Sequence, residues 1–479
     1  MIHRWIAFLV ALSCMFQLGW SSQAEAMKKK KSEARPHYYI EATYHNQRDE
    51  VSGHMVVTLP AKYVKQHKEV YFHLYPNAFR KWRFGEESKP KKPGYIDIRK
   101  VKVDQIPTQQ TIRETIMKVP LPKEIKGNQK VTIEMDYRLR LPHGGTRLNT
   151  FKQTAFLAQW YPILAVKDQE GWHIDPYTSV GDPFYTQMSD FEVVFHLPKG
   201  YQVISTAQDR LSTHSTQVVL KQQNVRDFVA VLTKDYQVKR DKVGNINVNL
   251  WYQPGMADVS DSLLKAAVSS MAFFTEKFGQ YPYKEVDVVL GETGFGIAGM
   301  EYPGLVTSIP KIWTEKGESP AVNVVAHELA HQWWYGVVGN NQVKEPWLDE
   351  GLTTFSEFLY MQEKMKVDDR PLLQKASAQT DRIHQAVGIT SVESLYKYPD
   401  SIYGLMVYIR PAAMLFQLCD QIGKDKVLQI LSTYYQQYRY RIATTEDFIR
   451  IANQVAKKDL TPFFDKWLYF NEQKMKKAG

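Results

Sequence analysis

The sequence predicts a multidomain α+β protein: an N-terminal antiparallel β-sheet or sandwich domain, an α/β core, and a helical C-terminal part. Three observations carry that reading. Apolar residues recur with period two from about His37 to Leu250, the spacing turns helical near Asp261, and beyond about Pro371 it stays helical to the end. At 479 residues the chain exceeds one ordinary core. Its hydrophobic content of 44% is that of a globular protein, not a disordered one.

The first 26 residues, MIHRWIAFLVALSCMFQLGWSSQAEA, place one Arg ahead of an apolar stretch from about Trp5 to Leu18 and end on Ala24 and Ala26 at cleavage spacing. This pattern predicts a secretory signal peptide over 1–26, since the apolar part is shorter than the roughly 20 residues a membrane span needs. The expected location is secreted or in the cell envelope, with an uncleaved N-terminal membrane anchor as the alternative. Residues 27–36 (MKKKKSEARP) are expected to form a disordered basic arm suited to weak electrostatic association with an anionic cell surface. A net charge of +10 also suits nucleic acid, but no nucleic-acid-binding motif accompanies it. Of the two cysteines, Cys14 would leave with the signal, so Cys419 has no internal disulfide partner and stability must come from packing.

Residues 37–250 make up the predicted β domain. Val131, Ile133, Met135, Tyr137, Leu139 and Leu141 alternate with Thr132, Glu134, Asp136, Arg138 and Arg140, a strand with one buried and one wet face. HYYIEATYH, HMVVTLP, EVYFHLYP, DFEVVFHLP and VNLWYQP repeat the pattern between Pro and Gly punctuation. Residues 251–370 form the predicted core. It holds a helix, DSLLKAAVSSMAFFTEKFG, closed by Gly279, then a strand, EVDVVLGE, and a glycine-rich segment, GFGIAGMEYPG. A second helix is expected to start at Ser319-Pro320, a capping residue followed by the residue best tolerated at the first helical position. In 371–479, Thr444 to Asp447 has capping-box spacing, and Thr461-Pro462 opens a last helix through Trp467.

The second core helix carries VVAHELAHQWWYG, residues 324–336. Residues four apart share a helix face, so His327 and His331 can offer two nitrogens to one Zn²⁺. HExxH alone arises by chance in about two chains in a hundred of this composition, so a third ligand has to decide. A metzincin site would place Gly three and His six residues after His331; those positions hold Trp334 and Val337, which excludes it. WLDEG, Trp347–Gly351, opens a following helix whose Glu350 lies eighteen intervening residues beyond His331. Asp349 is the neighbouring candidate, and because one helical residue turns a side chain by about 100°, only one of the two can face the metal. Two histidines, one glutamate and an open fourth position describe a catalytic site for one Zn²⁺ per chain; other divalent ions are chemically admissible. Glu328 borders the open position as the expected general base, which makes the reaction hydrolysis of a polarised carbonyl such as a peptide bond.

These motifs resemble those of the aminopeptidase N family of zinc metallopeptidases, which also includes leukotriene-hydrolase-type enzymes. HELAHQWW with WLDEG looks like the family's zinc signature at its usual spacing, GIAGMEYPG like its GxMEN segment, and VYIRPAAMLFQL like its tyrosine segment. TTEDFIRIANQVAKKDLTPFFDKWLY resembles its helical continuation, and LYPNAF and the stretch from WYP to FHLPKGY resemble phrases of its β half. The resemblance implies a thermolysin-like α/β zinc peptidase domain in a short, secreted member of the bacterial type, acting on peptides with a free N-terminus. It implies that Gly299, Met300 and Glu301 form a strand edge beside the substrate, with Glu301 gripping the α-amino group, and Gly296 and Gly299 would let the protein backbone come close to the ligand. Tyr408 would supply the hydroxyl that stabilises the oxyanion, with Tyr403 as its rival five residues earlier. Two departures stand out. Tyr302 replaces the family's usual Asn, and the chain stops soon after Trp467, without the long helical repeats of larger relatives, so a more open cleft is expected.

Three functions follow in order of preference. The first is a secreted zinc aminopeptidase that removes N-terminal residues from peptides. The second is a zinc endopeptidase or dipeptide-releasing enzyme on the same scaffold, and the third a non-catalytic binding protein of the envelope.

Overall fold

The computed structural model describes residues 34–471 apart from 66, 85–88, 122–124, 126–128, 145–146, 209–214 and 292–298. The predicted signal 1–26, most of the arm 27–36, and Gly296 lie outside the described residues.

The period-two segments form a seven-stranded sheet in the spatial order Gln217–Val225, Ser189–His196, His37–His45, Glu50–Leu59, Val131–Arg140, Tyr95–Val103 and Ile106–Pro107. Alternation along these strands is nearly strict: Val131 to Leu139 buries every second side chain. Two four-stranded sheets share one apolar core with it, built from residues such as Ile40, Met55, Phe72, Leu157, Trp160 and Phe195. The large sheet departs from the all-antiparallel expectation at one seam. His37–His45 pairs in parallel with Ser189–His196, two strands joined by a long crossover that passes through other strands of this sheet and through the smaller sheets before it returns.

The sheet beside the predicted site recruits more chain than the periodicity suggests. Gln237–Val243 and Ile246–Tyr252 do not stay with the β domain; they join Glu285–Leu290, Leu305–Ser308 and, at the edge, Gly299–Met300. Ile246–Tyr252, Glu285–Leu290 and Leu305–Ser308 run parallel. One face of this sheet packs on helix α1 (Ala257–Phe278) and on α2 (Val322–Trp334). The other meets the β domain through Phe156, Ile204, Val231, Trp251, Val289, Met300 and Tyr302. Period two marks a strand but carries no record of which sheet it will join.

Helix α2 starts at Val322, not at the expected Ser319-Pro320. Gly317–Pro320 instead pairs with Lys311–Thr314 as a hairpin, and Ala321 precedes the helix without a side-chain cap. A capping sequence is a local preference, and strand pairing outweighs it here. Helices α3 (Trp347–Tyr360), α4 (Arg370–Val387), α5 (Arg410–Ile422), α6 (Lys424–Tyr438), α7 (Thr445–Ala456) and α8 (Thr461–Tyr469) follow. The capping box at Thr444 and Asp447 is present, and α8 starts at Thr461. One two-residue strand, Arg441–Ile442, interrupts the helical part to pair with Val338–Gly339 just beyond α2. Asp400–Ile422 is long and apolar enough to cross a membrane by composition, but it is mostly buried inside the protein, as a core helix is.

Candidate metal centre

The two faces of α2 divide the work. Val325, Ala326, Leu329, Ala330 and Trp333 sink into the core, which turns His327, Glu328 and His331 toward α3 and the sheet edge. On α3, Trp347, Leu348, Leu352 and Phe355 pack inward, while Glu350, Thr353 and Glu357 share the face toward α2. Nε2 of His327 lies 3.2 Å from Nε2 of His331. Oε2 of Glu350 lies 3.3 Å from the first of these nitrogens and 3.2 Å from the second. Three ligand atoms thus converge on one point.

The outer nitrogens are also held. Glu357 Oε2 lies 3.0 Å from Nδ1 of His327, and the Thr353 hydroxyl lies 3.0 Å from Nδ1 of His331. Asp349 Oδ1 approaches the same Nδ1 to 2.8 Å, off the hydrogen-bond axis. Asp349 therefore faces the back of a ligand, not the metal, and the choice between Asp349 and Glu350 falls to Glu350.

The charge of the site favours a cation. Burial works against an imidazolium at His327, yet hydrogen bonds to Glu350 and Glu357 outweigh it and push the pKa up to about 10. At His331 burial is likewise outweighed, by the charges of Asp349 and Glu350, and the pKa rises well above its usual value. Buried carboxylates around two imidazoles demand positive charge, and a divalent ion can replace the protons that otherwise supply it. Two nitrogens, one carboxylate oxygen and outer hydrogen bonds that fix the imidazole orientation match zinc chemistry. The donor set fits one Zn²⁺.

Glu301, Glu328 and His331 form a second cluster whose ligand-type atoms lie within 4.8 Å of one another. Glu301 sits just past the edge strand Gly299–Met300 and is 4% exposed; burial and the nearby charge of Asp182 push its pKa well up. The Glu328 carboxylate lies against Gly299 so closely that a Cβ there would fall 2.0 Å from Oε1. Burial lifts the Glu328 pKa to about 7, the nearby imidazoles pulling the other way. Met300 points away from this cluster into the core between the two sheets, and so does Tyr302. The Tyr302 hydroxyl is buried without a hydrogen-bond partner among the described residues, so the tyrosine that replaces Asn acts in packing there.

Tyr408 stacks its ring on that of His327 at 5.9 Å between centroids, 11° from parallel. It lies in a π-helical turn, Gly404–Ile409, a local widening common where a helix serves a site. Tyr403 meets Tyr408 edge-on at 5.7 Å and turns its hydroxyl toward Gly181. Gly181 has φ +64°, and a Cβ on it would lie 2.4 Å from that hydroxyl, so the crossing needs glycine twice over. Of the two tyrosines, Tyr408 is the one stacked on a ligand. Arg410 then anchors the turn. Its guanidinium donates to the Trp467 carbonyl at 2.6 Å and to Asp381 at 2.8 Å, and covers the Phe470 ring at 3.7 Å.

Residues 263–467 match the model of the Peptidase family M1 domain, over all of these groups on α2, α3 and the π turn. This stretch is thus similar to the Peptidase family M1 domain. Among curated proteins, the chain is 24% identical over 312 residues to the mitochondrial aminopeptidase 2 of Saccharomyces cerevisiae, covering 60% of this chain and 31% of that protein. It is 24% identical over 247 residues to the glutamyl aminopeptidase of Homo sapiens, covering 48% and 25%. This chain thus matches at most about a third of the length of these relatives. Among solved structures, the M1 zinc metallopeptidase of Deinococcus radiodurans superimposes with a TM-score of 0.63 at 15% identity, covering 90% of this chain and 94% of that one. A mutant of it bound to a Tyr-Ser-Ala substrate gives 0.62 at 14%, covering 91% and 94%. The fold of the M1-like stretch and of the β half is therefore shared across nearly the whole chain.

Sequence reasoning passed over several residues of this site. Glu357 and Thr353 lie seven and three residues beyond Glu350 on one helix face, so helical spacing alone could have marked them. Asp182, beside Gly181, pairs with Arg147 in the β domain and lies close enough to act on Glu301 and Glu328. Gln332, next to His331, was hidden inside the motif itself. No local signal pointed to the Arg147–Asp182 pair, which only the fold brings to the site.

Proposed function

We propose that this chain is a zinc-dependent aminopeptidase that hydrolyses the first peptide bond of substrates with a free N-terminus. The observation that carries the reading is the pairing of two clusters: a His327–His331–Glu350 metal site and a buried carboxylate, Glu301, a few ångströms away. A buried anion so near the reacting centre favours a chain that ends there in an ammonium group, since a charge-assisted hydrogen bond offsets the cost of burying both.

His327, His331 and Glu350 would hold the ion, which supplies a Lewis acid for the scissile carbonyl and lowers the pKa of a coordinated water toward about 7. Glu328 takes a proton from the attacking water on a carboxylate oxygen and delivers it to the nitrogen of the leaving amine. A pKa lifted by burial into the neutral range suits a group that must do both. The carbonyl carbon gains the water oxygen and loses the amine, and Glu328 ends as it began. Tyr408 donates its hydroxyl hydrogen to the developing oxyanion. Burial holds its pKa far above 10, so it remains a donor throughout the working range. Glu301 holds the substrate ammonium.

A panel of aminoacyl fluorophores, run with and without a chelator and then with zinc restored, tests the reading. Glu301→Gln should lose activity selectively on free-amine substrates. Equal loss on N-terminally blocked substrates would favour the endopeptidase reading, and one bound zinc with no cleavage of any substrate would favour a binding protein. The signal-like segment 1–26 and the basic arm support export to the envelope; cell fractionation that finds the chain in the cytoplasm would end that proposal.

A further inference from the structure

We infer that Gln332 is a positioning residue that locks the amine-binding edge at Glu301 to the helix carrying the zinc histidines, and so sets the one-residue register of cleavage. This rests on the aminopeptidase reading above. Gln332 directly follows the second metal ligand on α2 and is 0% exposed. Its side chain is nevertheless fully engaged. Oε1 accepts from the Gly304 N–H at 2.9 Å and from the Tyr281 hydroxyl at 3.4 Å. Nε2 donates to the Tyr302 carbonyl at 3.0 Å and to the Glu301 carbonyl at 3.3 Å. Two acceptances and two donations are the full capacity of a carboxamide, and no other side chain of this size offers both.

The backbone's own hydrogen bonds hold the turn that follows, from the Leu305 N–H to the Tyr302 carbonyl at 3.1 Å and from the Asp287 N–H to the Gly304 carbonyl at 2.9 Å, but the strand ladder stops short of Glu301. Gly299 and Met300 pair with Ser308 and Thr307, and Glu301 lies beyond the last rung of that ladder. The backbone that carries Glu301 is therefore held at its carbonyl by Gln332, as is the next residue's, and the turn at Gly304 is held at its amide by the same side chain. On its far side the turn lies close against the β domain. Gly304 has φ +74°, and a Cβ on it would already lie 2.7 Å from the Thr206 carbonyl. One side chain on α2 thus spans from the metal helix to the amine anchor. For an enzyme that grips the terminal ammonium and polarises the next carbonyl, the distance between those two points decides which bond is cut. A shift of about 1 Å in such a distance costs up to about a hundredfold in rate.

The test uses the full chain loaded with zinc and two ligands that share one metal-binding group: an amino-acid hydroxamate and its N-acetyl counterpart, with binding followed by calorimetry. Gln332→Met should weaken the free-amine hydroxamate about tenfold or more, leave the N-acetyl one unchanged, and keep zinc near one per chain. In kcat/KM, Glu301→Gln added to Gln332→Met should cost little more than Glu301→Gln alone, because both act through one contact. On a short peptide the variant should release dipeptides alongside single residues. If Gln332→Met does not fold, Gln332→Glu is read instead; it keeps the shape and the bond from Gly304 while turning the donor into an oxygen that repels two carbonyls. Equal weakening of both hydroxamates, or additive losses in the double variant, would assign Gln332 to stability alone and overturn the inference. A wild-type chain that binds the N-acetyl ligand as well as the free amine would instead defeat the aminopeptidase reading itself, and this inference with it.

Discussion

Gly299→Ala adds one methyl group to the edge strand, at the point where the strand meets the Glu328 carboxylate, the general base of the proposed mechanism. The new Cβ would lie 2.0 Å from Oε1, 2.4 Å from Cδ and 2.8 Å from Cγ of Glu328. Comfortable contact needs about 3.5 Å, so the carboxylate must withdraw by about 1.5 Å. Gly299 is not among the glycines with positive φ, so the backbone itself accepts alanine. The displaced group is the end of a flexible side chain, so the fold should absorb the change with a small loss in Tm. Catalysis should not. A displacement of about 1 Å at a reacting group costs about a hundredfold, or about 2.7 kcal/mol of transition-state stabilisation. The assay is kcat/KM on an aminoacyl fluorophore, with zinc content and Tm measured on the same preparation. Activity within threefold of wild type, or a loss that tracks missing zinc, would refute the placement of Glu328 against this strand.

The other expectations concern the support around the site. Glu357→Gln should lower zinc affinity about ten- to a hundredfold, measured by competition with a chromogenic chelator, because it removes the carboxylate that orients His327. Arg226 donates to the carbonyls of Tyr335, Thr186 and Arg441 at 2.7, 3.0 and 2.8 Å, tying the β domain to the end of α2. Arg226→Met should therefore cost about 3–5 kcal/mol in denaturant unfolding, since three buried carbonyls lose a charged donor. Burial lifts the Asp227 pKa from 3.8 to about 7, despite the hydrogen bond from Tyr335. A raised folded pKa means a contribution that is complete below about pH 4 and is lost as pH rises through about 7. Asp227→Asn should flatten that fall, by at most about 4 kcal/mol, in unfolding curves taken across pH 4–8.

How much of this was legible in advance depends on how far apart the cooperating residues lie. His327, Glu328 and His331 are set by one helical turn, and a helix imposes the same geometry wherever it occurs, so the spacing alone placed them together. Glu350 required only that the next helix fold back, and the choice against Asp349 then came from packing: Trp347, Leu348 and Leu352 fix the roll of α3 and turn Glu350 inward. Tyr408 and Glu301 entered through resemblance, because no periodic rule connects residues so far apart in the chain. The start of α2 was misjudged for a related reason. Ser319-Pro320 is a good local beginning for a helix, but it is taken up by the strand paired with Lys311–Thr314.

Composition and periodicity thus determined on their own the α+β division, the alternating faces of the β strands and the pair of histidines on α2, because each follows from backbone geometry over a few residues. Tertiary structure alone decided that two strands of the period-two region join the sheet beside the metal site, that Gln332 reaches the backbone of Glu301, and that Arg226 closes the domain boundary. These depend on contacts between segments tens to hundreds of residues apart. Such contacts form only when the apolar faces have chosen their partners, and that choice is made by the whole core at once.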